Sequence, residues 1–110
     1  MISAQLDEER LAVLASVLQP YAHRIDKVAV FGSHAMGRAR RNSDIDLVIY
    51  GRLDEGDIDR IWTLLDESPL AVTVDVVGYN LPLYPPLRAH IDRTAQTLFM
   101  SADLADLKAA

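Results

Sequence analysis

Residues 32–47 read GSHAMGRARRNSDIDL, a glycine-serine turn and a basic cluster leading into a strand that opens with two carboxylates, Asp44 and Asp46. The continuation through Ile45, Leu47, Val48 and Ile49 is built for burial. An ionised carboxylate in such surroundings costs several kcal/mol unless charge or hydrogen bonds compensate it. Two of them compound the cost, because residues i and i+2 of a strand share a face roughly 7 Å apart. At an effective dielectric near 20, like charges repel by about 4 kcal/mol at about 4 Å, and by proportionately less at this wider spacing. A divalent cation held between them would turn that repulsion into attraction.

Upstream, Val28, Ala29, Val30 and Phe31 predict a short buried strand over residues 27–31 that runs directly into Gly32 and Ser33. Residues 34–37 are then expected as a turn or a short helix. Earlier still, Leu11, Val13, Leu14, Val17 and Leu18 recur at helical spacing, which predicts an amphipathic helix over residues 7–21 with Asp7 as N-cap and Pro20 near its end.

Downstream, the carboxylate-bearing strand is expected over residues 44–50. A helix over 54–67 follows, with Ile58, Ile61, Trp62, Leu64 and Leu65 inward and Glu55, Asp59 and Asp66 outward. Residues 72–77 alternate Val72, Val74 and Val76 on one face of a third strand with Thr73, Asp75 and Val77 on the other, which adds a third carboxylate. Pro85 and Pro86 suit a helix start, with the helix running to residue 93; a short extended segment over 97–100 and a last helical turn or two over 102–107 complete the chain. The order α-β-(short α)-β-α-β with a helical tail implies an α/β or α+β arrangement around one sheet.

The 110 residues are expected to form a single domain, 1–110. At 50% hydrophobic and 25% charged, the composition is that of an ordinary globular chain. No apolar run approaches the roughly 18 residues of a membrane span. Asp7, Glu8 and Glu9 stand where a secretory signal would carry basic residues before an apolar stretch, so a cytoplasmic location is expected. With no cysteine in the chain, disulfides, thiolate metal sites and cysteine nucleophiles are excluded, and a metal would be held by oxygen or imidazole. The net charge of -5 argues against a general nucleic-acid surface, although Arg38, Arg40 and Arg41 form a local basic cluster able to meet phosphates.

Hard cations such as Mg2+ prefer carboxylate oxygens and complete their shells with water and substrate phosphates. Three aspartates on neighbouring strands suit two such ions, an arrangement that stabilises the attacking and leaving oxygens of an in-line displacement at phosphorus. A Gly-Ser turn at a strand end lets backbone amides approach a phosphate, and a helix start there adds a favourable dipole. The spacing of Gly32 and Gly37 fits neither a dinucleotide-binding fingerprint nor a P-loop.

The pattern Gly32-Ser33, then Ser43-Asp44-Ile45-Asp46-Leu47, then Asp75 within VTVDVV resembles the minimal nucleotidyltransferases of the DNA polymerase β superfamily over residues 28–78. The resemblance implies a mixed sheet in an α-β-α-β-α-β core with a short helical C-terminal tail. It implies Asp44 and Asp46 as metal ligands, and Asp75 as the residue that completes the catalytic metal site and helps deprotonate an acceptor hydroxyl. Gly32 and Ser33 would hold the β- and γ-phosphates of a nucleoside triphosphate, ATP, with Arg38 and Ser43 completing the nucleotide-binding set, and two Mg2+ ions as cofactors. One departure is Met36, a position often basic in relatives; either that phosphate contact is missing or Arg38 or Arg40 supplies it.

Larger relatives carry a second, mostly helical region for the acceptor, so the acceptor surface is expected from another chain. Minimal members resemble antitoxins paired with a small helical toxin of the HEPN type, and some attach AMP to a tyrosine of that partner. Two other readings stay open: a non-catalytic module that neutralises its partner by binding, and an enzyme that nucleotidylates a small molecule.

Plainer explanations stand beside these. The aspartates could cap turns or face solvent, the glycines could serve turns alone, and the arginines could line a solvated loop. His23, His34 and His90 show no metal-ligand spacing, and only His34 falls near the motif. Trp62 and its aliphatic neighbours read as core, and residues 54–59 read as a solvated acidic face that also favours a helix N-terminus.

Overall fold

The computed structural model describes residues 6–40 and 42–109. Helix α1 (Glu8–Leu18) starts where expected, the Asp7 carboxylate accepting the Arg10 N–H at 2.8 Å. It ends three residues early, tightening into a 3-10 stretch, Gln19–Arg24, with Pro20 in its first turn. The reason is local: proline has no N–H to donate into the α-helical ladder.

Strand β1 (Ile25–Phe31) pairs antiparallel with β2 (Ile45–Gly51). Helix α2 (Glu55–Asp66) then crosses back to β3 (Val74–Gly78), which lies parallel to β2. Helix α3 (Pro85–Thr94) leads to β4 (Gln96–Met100), antiparallel to β1, and α4 (Ser101–Ala109) follows. The described residues therefore form a mixed four-stranded sheet in the order β3-β2-β1-β4 with four α-helices, an α+β arrangement. No helix among them is long and apolar enough to cross a membrane.

Strand alternation sorts the side chains onto two faces. Val28, Val30, Ile45, Leu47, Ile49, Val74 and Val76 point to the larger core, which α1, α2 and α4 cover with Leu14, Leu18, Ile61, Leu65 and Leu104. Ala29, Phe31 and Val48 point the other way, where Ile91 of α3 covers them. Burial on both faces explains why these strands read as continuous apolar runs. Each fully buried aliphatic side chain contributes on the order of 1.5–3 kcal/mol.

Two expectations for α2 fail: Trp62 and Leu64 are 42% and 39% exposed rather than core. The buried stripe is the narrower set Ile58, Ile61 and Leu65. One helix lying on a small sheet buries a single stripe, and Trp62 and Leu64 fall on its flanks.

The end of the sheet away from the aspartates is pinned by polar contacts. Arg24 donates to the Arg52 carbonyl at 3.0 and 3.2 Å and forms an ion pair with Asp57. Asp57 also accepts the Asp54 N–H at 3.0 Å, completing a capping box at the start of α2. That backbone hydrogen bond, and then Arg24, hold the Asp57 carboxyl below the usual carboxylate range.

Candidate active site

At the other end of the sheet, β1 stops at Phe31 and the chain turns at Gly32, whose φ is +73°. Only glycine adopts this conformation without steric cost. The turn closes on itself: the Met36 N–H donates to the Gly32 carbonyl at 3.0 Å and the Arg38 N–H to the Ser33 carbonyl at 2.9 Å. Residues 32–37 are turns and do not form the short helix whose dipole the sequence allowed. These bonds use the amides of Met36 and Arg38 and leave those of Ser33, His34 and Ala35 outside the turn's own hydrogen bonding.

Both ends of the turn are tied down. The Gly32 N–H donates to Thr94 Oγ1 at 3.2 Å, and that hydroxyl donates to the His90 carbonyl at 2.9 Å. Gln96 Nε2 donates to the Ala35 carbonyl at 2.7 Å. His34 is buried to 1% exposure, with Nε2 at 3.4 Å from the Ser43 carbonyl and no partner for Nδ1. The Ser43 hydroxyl accepts the Arg40 N–H at 2.8 Å, so in this structure it braces the loop just ahead of Asp44.

The three aspartates all lie at this end of the sheet. Asp46 lies in register with Phe31 on one side and Asp75 on the other, while Asp44 sits one residue ahead of β2. The Ile45 N–H donates to the Thr73 carbonyl at 2.9 Å and fixes that register at the strand entrance. Asp44 and Asp75 are exposed and Asp46 is half-buried. Burial, then Asp75, then Asp44 push the Asp46 carboxyl above the ordinary carboxylate range, while His34 and His90 pull the other way.

No three His, Asp or Glu side chains among the described residues converge as a ready-made cation cage. Mg2+ needs none, being held as a rule by one or two carboxylates with substrate phosphates and water completing the shell. The crowding of Asp46 by Asp75 and Asp44 and the carboxylate oxygens they present fit such an ion.

Of the remaining expected residues, Ser33 is half-buried beside Gly32, whereas Arg38 and Arg40 are exposed and make no ion pair among the described residues. Met36 is 42% exposed. Arg41 lies outside the described residues. Sequence reasoning missed His90, Thr94 and Gln96, because each reaches the turn from α3 or β4 and no local motif marks it.

Residues 13–103 match the family described as Polymerase beta, Nucleotidyltransferase. The chain belongs to that family. Its membership supports a transferase activity. Among solved structures, a candidate minimal nucleotidyltransferase is 37% identical, with a TM-score of 0.57 over 86% of this chain and 99% of that one.

Two structures of toxin-antitoxin complexes share the fold of this nucleotidyltransferase. One, solved with AMP-PNP, has a TM-score of 0.67 at 20% identity, covering 90% of this chain and 83% of that one. The other, MntA-HepT, has a TM-score of 0.63 at 17% identity, covering 92% and 79%. No curated protein matches the chain.

Proposed function

We propose that this nucleotidyltransferase transfers AMP from ATP to a hydroxyl of a protein partner, a tyrosine of a HEPN-type toxin, and so acts as a cytoplasmic antitoxin. The observation that carries the chemistry is the register pair Asp46 and Asp75, joined by Asp44, at the mouth of the Gly32–Arg38 turn. The toxin-antitoxin complexes that share the fold, one of them solved with AMP-PNP, support the choice of partner and donor.

In this reading Gly32 and Ser33 hold the β- and γ-phosphates, the Ser33 amide and hydroxyl meeting them while the Gly32 N–H stays on Thr94, with Arg38 and Ser43 beside them. Asp44, Asp46 and Asp75 would hold the two Mg2+ ions, which when bound neutralise the triphosphate and polarise its α-phosphorus. Asp75 takes the proton of the acceptor hydroxyl as its oxygen bonds to the α-phosphorus. The bond from that phosphorus to the bridging oxygen breaks, and pyrophosphate leaves.

Intact-mass measurement of the helical partner co-expressed with this chain tests the proposal. A gain in AMP units is expected with the wild type and none with Asp44→Asn plus Asp46→Asn; no gain with the wild type, given ATP and Mg2+, overturns it. Exposed Met36, apolar in the phosphate turn, favours a second reading, a module that neutralises its partner by binding alone. In that case the double variant would still protect cells from the partner.

A further inference from the structure

We infer that His90 of α3 is a nucleotide-binding residue, donating a hydrogen bond from Nε2 to the triphosphate over Gly32 and replacing a contact that Met36 cannot make. A side-chain carbon placed on Gly32 would lie 2.9 Å from Asp46 Oδ2 and 3.7 Å from His90 Nε2, so carboxylate and imidazole flank one point at the start of the phosphate turn. The ring is held there from two directions. It stands edge-on to Phe31, with centroids 6.0 Å apart and planes at 83°, and its backbone carbonyl accepts the Thr94 hydroxyl that also fastens the Gly32 N–H.

His90 is partly exposed, and its ring nitrogens make no hydrogen bond to another described residue, which leaves Nε2 available to a ligand. The turn itself offers exposed, apolar Met36. An imidazole N–H fixed on a rigid helix meets a phosphate oxygen with little ordering cost, unlike a long arginine on an exposed loop.

The inference rests on the nucleotidyltransferase reading of this site, and calorimetry with AMP-PNP and Mg2+ on the full chain tests it. His90→Phe keeps the edge contact with Phe31 but removes the donor; it is expected to weaken AMP-PNP binding roughly tenfold to a hundredfold, as loss of a hydrogen bond to a charged group does. His90→Gln, which retains a donor, should recover most of the affinity, and inorganic triphosphate should show the same order. Mg2+ affinity without nucleotide should be the same in all three proteins.

Unchanged AMP-PNP binding in His90→Phe, or a loss in His90→Gln as large as in His90→Phe, overturns the inference. So does a parallel fall in Mg2+ affinity, which would mean that His90 acts only through Asp46. A wild-type protein that fails to bind AMP-PNP overturns both this inference and the proposed function, whereas wild-type binding with an unaffected His90→Phe overturns this inference alone.

Discussion

Asp46 carries most of the electrostatic tension of the site, since it is half-buried between Asp75 and Asp44 with its carboxyl pushed above the ordinary range. A carboxyl whose folded value is raised binds more protons in the folded than in the unfolded state, so stability falls as pH rises through the window between the two values. Metal-free wild type should therefore lose stability from about pH 4 upward by an amount that Asp46→Asn removes, read as the difference between denaturant midpoints across pH. An equal slope in both proteins would show that burial and the neighbouring carboxylates do not raise the Asp46 carboxyl.

Gly32 and Gly37 offer a matched pair, with φ of +73° and +71°. Alanine at either position should cost about 1–2 kcal/mol from backbone strain, measured by urea melts. Only at Gly32 does the added carbon meet Asp46 Oδ2, whereas Gly37 has open space. Transfer should fall much further in Gly32→Ala than in Gly37→Ala.

Helix α3 closes the site because Thr94 couples it to the turn. Thr94→Val would leave the buried Gly32 N–H without its acceptor, and a loss of about 1–3 kcal/mol is expected in denaturant melts, with faster exchange of the Gly32 amide. At the opposite end of the sheet, the lowered Asp57 carboxyl has the reverse pH sign. Its stabilisation is present above the unfolded carboxylate value and is lost as pH falls toward the lowered one. Asp57→Asn should therefore flatten the acid limb of the stability curve, and an unchanged limb would show that the Asp54 N–H and Arg24 contribute nothing there.

All the main elements were legible in residues 7–107, because apolar periodicity and caps are local properties. Their edges were not. Pro20 ended α1 early, and β3 begins at Val74 rather than Val72. Trp62 was misplaced because a helical stripe drawn from sequence alone does not say how wide a surface it meets.

Across the molecule, three helices cover one face of the sheet and α3 the other, so the aspartates emerge beside α3 at the end of β2 and β3. If that edge holds the metal, Mg2+ at a hundredfold excess over Kd should stabilise the wild type by about 2.7 kcal/mol, read as a higher melting temperature, and leave Asp44→Asn plus Asp46→Asn unmoved. Exposed Trp62, by contrast, should tolerate Trp62→Gln within about 0.5 kcal/mol in the isolated chain.

The carboxylate pair, the glycine turn and the third aspartate were readable along the chain because strand parity and turn chemistry act between near neighbours in sequence. Placement of His90 and Thr94 over Gly32 was not, since it depends on the chain returning through α2 and β3 until Ile91 packs on Ala29, Phe31 and Val48. That contact is made by apolar side chains of ordinary type, which carry no signal of the partner they will meet; only the closed core brings α3 to the glycine turn.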